Sequence, residues 1–323
     1  MRALVYEVYG APEVVRVDEV PAPTAGPGQV LVQVHTTTVN SGDARLRAAR
    51  FPPGMAFLAR LALGWSAPRT RVLGAEVAGV VVAVGGGVST FAVGDRVVGM
   101  TGMRMGGHAE LALLDADRGV ARLPDEVGFR EAIGLPFGGL TAMSFLARRA
   151  AVAPGERVLV VGASGAVGVA AVQVAKRRGA HVTAVCSGAN EALVRSLGAD
   201  AVVDYTRAAP TGVWDVVLDT VGATPVATLR SWLTPRGRLV LIAAGIPQML
   251  WGAWVSWTSG QRVFTGISDE SPADLRQLLE WHVRGEYQAV VDRELPLAEG
   301  AAAHALVDGS HKRGAVVLRV AAG

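Results

Sequence analysis

The chain has 323 residues, half of them hydrophobic and 18% charged, with 31 basic against 28 acidic side chains and a net charge of +3. That balance excludes a disordered chain, and the length exceeds what one core usually serves, so two domains are expected. The lone cysteine, Cys186, excludes an intrachain disulfide framework and a multi-cysteine zinc site, and the small basic excess, without a dense Lys/Arg block, points to no nucleic-acid partner.

Residues 1–6 read directly as a strand rather than a secretory signal, and no apolar run reaches the roughly 18 residues a membrane span needs. A cytoplasmic protein without a membrane partner is expected. The first 125 residues are short β-type runs, "VLVQVH" (30–35), "VAGVVVAVG" (77–85) and "DRVVGM" (95–100), divided by turn-rich segments such as 21–29. One helical piece is expected over 43–63, and Asp95 reads as a turn residue.

The apolar spacing turns helical over 123–150. Strands are then expected at 157–162, 181–186, 200–204, 215–219, 238–243 and 262–267, with helices at 166–178, 189–197 and 223–233. Such alternation predicts an α/β fold, a doubly wound parallel sheet with helices on both faces. A helix over 271–286 and a closing strand over 314–320 follow, the strand rejoining the first β unit. The second domain is thereby inserted into the first, with boundaries 1–124 and 269–323 around 125–268. "QMLWGAWVSWTSGQ" (248–261) carries three tryptophans within seven positions, which suits core packing, a subunit contact or the wall of an apolar pocket.

The segment "GASGAVG" (162–168) sits where a predicted strand ends and a helix begins. Small residues there let backbone approach a pyrophosphate, whose charge the amides and dipole at the helix start stabilise. The binding set read from this turn is Ala163, Ser164, Gly165, Ala166 and Val167, with Ala163 in the place of the usual first glycine and Gly168 allowing close helix–sheet packing. No acid stands between Val185 and Asn190, where one would bond a ribose 2′-hydroxyl and repel a 2′-phosphate. Ser187, Asn190 and Tyr205 are candidate phosphate contacts, so NADPH is expected over NADH; a loop without preference is the alternative. Cys186 reads as a packed strand-end thiol.

The segments "LGAEVAGVVVAVGGGVSTFAVGDRVVGM" (73–100), "GGHAELALL" (106–114), "GGLTAMSFL" (138–146), "SLGADAVVDYT" (196–206) and "HKRGAVVLRV" (311–320), together with the glycine turn, resemble the zinc-independent medium-chain dehydrogenase/reductases, the quinone oxidoreductase and enoyl reductase branch. The resemblance implies a Rossmann domain inserted into a GroES-like β domain, an active site in the cleft between them, and a homodimer made through the last Rossmann strand, "RVFTGI" (262–267). It implies no metal, because Asn40 (or Ser41) and Ala75 stand where zinc-dependent relatives carry a cysteine and a histidine. The activity it implies is NADPH-dependent hydride transfer to an activated acceptor, a quinone or an α,β-unsaturated carbonyl, whose oxygen needs hydrogen-bond donors instead of a Lewis acid.

By the same resemblance Asn40 contacts the nicotinamide or substrate, unless it only caps a loop. Asp43 organises that loop or serves catalysis. Thr141 lies on the nicotinamide side, and Val221, Ala244, Gly245 and Arg313 are further cofactor contacts. The loop 50–71 contains no tyrosine to act as proton donor, which favours solvent; its apolar residues (Met55, Phe57, Leu58, Leu61, Trp65) suit an apolar substrate or ordinary burial. His108 and His311 read as structural or surface residues. A carbonyl or secondary-metabolism reductase, and a non-catalytic dinucleotide- or RNA-binding protein, are the alternatives.

Overall fold

In the computed structural model of the chain, residues 1–309 and 312–320 are described; His311 lies outside them. In chain order the elements are β1 (Arg2–Val5), β2 (Arg16–Glu19), β3 (Gln29–Val39), α1 (Ser41–Arg47), α2 (Ala56–Leu63), β4 (Glu76–Val84), β5 (Arg96–Met100), β6 (Leu111–Asp115), β7 (Val120–Arg122), α3 (Phe129–Ala132) and α4 (Pro136–Ala142). There follow β8 (Arg157–Val161), α5 (Ala166–Arg177), β9 (His181–Cys186), α6 (Glu191–Ser196), β10 (Ala201–Asp204), β11 (Trp214–Asp219), α7 (Val226–Ser231), β12 (Leu233–Leu241), α8 (Ile246–Thr258) and β13 (Arg262–Phe264). The chain ends with α9 (Pro272–Val283), β14 (Val291–Pro296), α10 (Gly300–Asp308) and β15 (Ala315–Arg319).

The chain divides into two compact units, one of residues 1–51, 57–140 and 270 onward, the other of 52–56 and 141–269. The first unit is built on β3. Its N-terminal half alternates, with Val30, Val32 and Val34 turned inward, as a half-buried strand must. It pairs antiparallel with β4, β6 and β15, in a sheet ordered β14-β15-β3-β4-β5-β7. The core of this unit joins Val30, Val32, Val77, Val97, Leu114 and Leu318. Asp95 closes the turn before β5 by accepting the Ala92 N–H at 2.8 Å.

The second unit is a parallel sheet in the order β10-β9-β8-β11-β12-β13. β8, β9 and β11 are nearly unbroken runs of buried apolar residues, as strands covered on both faces should be. The Ala/Val-rich sequence of α5 buries Val167 through Ala175. Gly168 is what lets it lie so close: a Cβ there would stand 2.1 Å from the Gly162 carbonyl oxygen.

Four expectations change. The helix over 43–63 is two helices, α1 and α2, because Pro52-Pro53-Gly54 interrupts it, with Gly54 at φ 79°. The first unit runs to residue 140 rather than 124, since α3 and the first five residues of α4 belong to it: the Phe137 N–H bonds the Glu76 carboxylate at 2.8 Å. The tryptophan segment is a helix, α8, and of the readings open to it core packing holds for Trp251 alone; Trp254 is 56% and Trp257 86% exposed. Strand β13 stops at Phe264 instead of 267, as the chain turns away at Gly266 with φ 108°.

Replacing Gly168 by Ala should lower stability by about 1–3 kcal/mol, although Ala is otherwise the better helix former by ~1 kcal/mol. The denaturant midpoint of the variant checks this.

Candidate active site

The strand order of the parallel sheet reverses between β8 and β11, which leaves a crevice beyond their carboxyl ends. The glycine turn lies there. Gly162, not residue 163, takes the left-handed conformation (φ 79°). It is packed too tightly for a side chain, since a Cβ would stand 2.5 Å from Thr220 Oγ1 and from Val221 Cγ2. The reading of Ala163 is corrected accordingly: it is fully buried and its N–H is spent on the Val185 carbonyl at 3.0 Å, so it offers nothing to a ligand.

Gly165 differs from both neighbouring glycines. It caps α5 in an extended conformation (φ −75°), no side chain caps the helix, and a Cβ there would meet only the Gly162 oxygen at 3.6 Å. The space beside Gly165 is therefore open on the protein side, at a helix start whose amides carry partial positive charge. This is the shape and polarity that a dinucleotide pyrophosphate requires.

Around the turn the other predicted residues gather. Asn190 is buried and its Nδ2 donates to Ser164 Oγ at 3.1 Å and Ser187 Oγ at 3.2 Å. That corrects its predicted role: the amide straps the glycine turn to the end of β9 instead of reaching outward to a phosphate. Tyr205 is exposed. The Val221 N–H is held by Asp219 Oδ1 at 2.9 Å, and Gly245 starts α8 with its N–H on Gln248 Oε1 at 3.1 Å. Thr141 is buried within α4. Burial pushes the Cys186 thiol up to about 11, which makes it an inert packed group.

One acid near the ribose-reading loop escaped the sequence reading. The parallel register sets Asp204 of β10 beside Cys186 of β9, and its carboxylate receives the Thr206 N–H at 3.0 Å and the Thr206 hydroxyl at 2.8 Å. A Cβ on Gly188 would lie 2.6 Å from Asp204 Oδ2, so this carboxylate sits against the loop. Arg207 approaches the same oxygen at 3.5 Å, with its side chain 86% exposed. The bonds from Thr206 hold the carboxyl below its ordinary range.

In the first unit Asn40 caps α1: its Oδ1 accepts the N–H of Gly42 at 2.7 Å and of Asp43 at 3.1 Å. Its Nδ2 is buried without a partner among the described residues. Asp43 is fully buried, accepting the Asn40 N–H at 2.9 Å and the Gly74 N–H at 3.0 Å, with His108 Nε2 4.0 Å away. Burial raises its pKa, and His108 and the two amides partly offset this. The catalytic reading of Asp43 is thus corrected to a positioning one, since both its oxygens are spent on backbone. Arg313 is exposed just before β15.

Further charged groups lie beneath this loop. Glu76 is buried, hydrogen-bonded to the Thr38 hydroxyl and the Phe137 N–H, and burial pushes it up to about 7. Lys312 donates to the Gly314 carbonyl at 2.7 Å and is pushed down to about 8 by desolvation, against the pull of Glu76 and Asp292. His108 is buried with Nε2 on the Thr38 carbonyl at 2.8 Å, and its ring meets the buried His304 at 5.9 Å. Burial holds His304 neutral, at about 2. Glu76 directly follows Ala75 at the start of an otherwise apolar strand, the one signal that could have drawn attention to it. Among the described residues no group of three His, Cys, Asp or Glu side chains is placed to hold a metal.

Comparison with known proteins completes the assignment. Residues 26–125 match the alcohol dehydrogenase GroES-like domain and residues 197–318 the zinc-binding dehydrogenase domain. The chloroplastic quinone-oxidoreductase QR1 of Triphysaria versicolor is 32% identical over 98% of both chains. The chain belongs to the medium-chain dehydrogenase/reductase family. Among solved members, the quinone oxidoreductase of Coxiella burnetii superposes with a TM-score of 0.89 at 26% identity over 99% of each chain. The CurK enoyl reductase gives 0.82 at 26% identity over 98% of each. The fold is that of the medium-chain family, a GroES-like domain with a Rossmann-type parallel sheet.

Glu76 yields a pH prediction. Its folded pKa, about 7, lies above its ordinary 4.5, so the stability linked to its proton is present below 4.5 and lost as pH rises through 7. Wild-type stability should therefore fall by about 2–3 kcal/mol between pH 4.5 and 8 from this group alone. Glu76→Gln should flatten that part of the profile, as read by urea unfolding at each pH.

Proposed function

We propose that the protein is an NADPH-dependent, metal-free oxidoreductase that reduces activated acceptors, quinones or α,β-unsaturated carbonyls. The carrying observation is the open, uncapped start of α5 at the point where the sheet order reverses. Gly165, Ala166 and Val167 would hold the pyrophosphate, with Ser164, Val221, Ala244 and Gly245 around it; Thr141 and Arg313 remain proposed contacts. Bound NADPH supplies the hydride. Asn40 supplies a hydrogen-bond donor through Nδ2, the one atom of its amide that capping leaves unused. Such a donor, aimed at the acceptor's oxygen, stabilises the charge that hydride addition puts there. The metal-free reading rests on chemistry: Asn40 and Ala75, at the positions of the zinc ligands, offer neither thiolate nor imidazole.

Preference for the phosphorylated cofactor is supported by Arg207. Asp204 alone would repel a 2′-phosphate, but its carboxylate is bonded by Thr206 and approached by Arg207, whose exposed guanidinium is free to turn toward an anion. Ser187, next to Cys186 in sequence, and Tyr205, next to Asp204, remain proposed phosphate contacts. The quinone and enone acceptors are supported by the relatives named above, two quinone oxidoreductases and an enoyl reductase by name. The reading includes a homodimer through β13 and a cytoplasmic location; no described helix is long and apolar enough to cross a membrane.

The decisive experiment is calorimetric titration with NADPH and NADH, followed by NADPH consumption with a quinone, an enone and a simple ketone. NADPH should bind more tightly, and the first two acceptors should be turned over. Failure to bind either cofactor overturns the proposal; equal turnover of the ketone overturns the acceptor class. Gly165→Val should weaken NADPH binding by roughly tenfold or more while costing no more than about 1 kcal/mol of stability as a poorer N-cap, since its side chain would fill ligand space and not protein space. Arg207→Ser should lower the NADPH-to-NADH affinity ratio by roughly tenfold while leaving NADH affinity unchanged.

A further inference from the structure

Helix α2 is turned inside out. A surface helix ordinarily buries its apolar stripe and shows its polar face to water. Here Phe57 is 64%, Leu58 56%, Leu61 58% and Trp65, just past the helix, 62% exposed, and α2 buries none of its residues fully. The inward side is held by polar contacts. The Tyr9 hydroxyl donates to the Gly64 carbonyl at 2.9 Å, and the Arg60 guanidinium lies over the Tyr9 ring at 5.0 Å.

The following turn is tied just as firmly. Arg60 Nη1 donates to the Trp65 carbonyl at 2.6 Å and Arg69 Nη1 to the Ala62 carbonyl at 3.2 Å. Gly64, at φ 120°, permits the reversal, because a Cβ there would stand 1.9 Å from the Ala67 oxygen. Trp65 is thereby set edge-on to Phe57, ring centroids 5.8 Å apart. The apolar face is a built platform, held outward by bonds that a disordered loop would lack.

Its charge is one-sided. Between Asp43 and Glu76 the chain contains six arginines and no Asp, Glu or Lys. Arg47 and Arg50 are paired with Asp308, and Arg71 with Glu7. Among the described residues Arg60 and Arg69 bond only carbonyl oxygens and meet no carboxylate, so their positive charge stays uncompensated beside the exposed Phe, Leu and Trp side chains.

From this juxtaposition we infer that α2 and the turn to Trp65 form a docking surface for an anionic lipid bilayer. Phe57, Leu58, Leu61 and Trp65 enter the headgroup–acyl boundary while the exposed Arg69 meets lipid phosphates and Arg60, stacked on Tyr9, adds its positive charge to the attraction. The charge complementarity decides the occupant: an apolar patch rimmed by unneutralised guanidinium groups fits an interface that is apolar within and anionic at its surface. A bilayer is also where an apolar quinone resides, although the inference does not depend on the proposed activity. The surface lies on a membrane and does not span one, so the absence of a spanning helix among the described residues does not oppose it.

The test is flotation of the full chain with vesicles of phosphatidylcholine alone and of phosphatidylcholine with phosphatidylglycerol, at low and high salt. The chain should float with the anionic vesicles, less so at high salt as screening weakens the arginine contribution. The triple variant F57S/L58S/L61S changes only exposed side chains; circular-dichroism melting verifies that it folds, and Trp65→Ser serves as an independent second variant. Each should lose roughly tenfold or more in vesicle partitioning. Wild-type protein that fails to float with any composition overturns the inference, as does equal flotation of the variants. A change in molar mass by light scattering in the variants, without wild-type flotation, overturns it in favour of a contact between two copies.

Discussion

The first turn of any helix carries backbone N–H groups that its own carbonyls cannot reach, and something must satisfy them. In α5 no side chain does so. That shortage governs the second unit. Gly162 must turn left-handed and Gly168 must be bare so that the helix starts at the sheet's reversal point. Asn190 must bind Ser164 and Ser187 so that the turn holds its shape while empty of protein. The residues that are rigid around Gly165 and the one that is unencumbered together give the proposed pyrophosphate site its backbone donors. The donors are fixed by the fold before a ligand arrives, so little ordering remains to oppose binding.

The first unit solves a different problem, that of burying ionisable groups under a loop. Asp43, Glu76, His108 and His304 all lie out of solvent. A buried charge is expensive unless it is paired or neutral. Asp43 is met by two amides, Glu76 rises to about 7, and His304 falls to about 2, where it is neutral. The network fixes the loop that carries Asn40, at the cost of a stability that varies with pH.

Much of this was readable before any coordinates. The parallel sheet was legible because its strands are continuous apolar runs bounded by turns, and the glycine turn because it joins a strand to a helix. What escaped was whatever depends on register or on long-range burial. Asp204 lies eighteen positions beyond Cys186 in sequence, and only parallel pairing brings the two side by side. Asn190 is a plausible surface donor in one dimension and an internal strap in three. The α1–α2 break follows from Pro52-Pro53-Gly54, a helix-breaking run that stands in the sequence itself. In α8 the apolar abundance suited a core, a subunit contact and a pocket wall alike, and only the fold separates Trp251, packed on the core, from the exposed Trp254 and Trp257.

The brevity of β13 has a consequence of its own. A terminal strand of a sheet is a template on which foreign chains can add, and long flat ones invite uncontrolled polymerisation. Here the template is three residues long, opens with Arg262, and is cut off by the left-handed turn at Gly266. Its short reach denies footing to an extended foreign strand, which shields this edge of the sheet from fibrous growth.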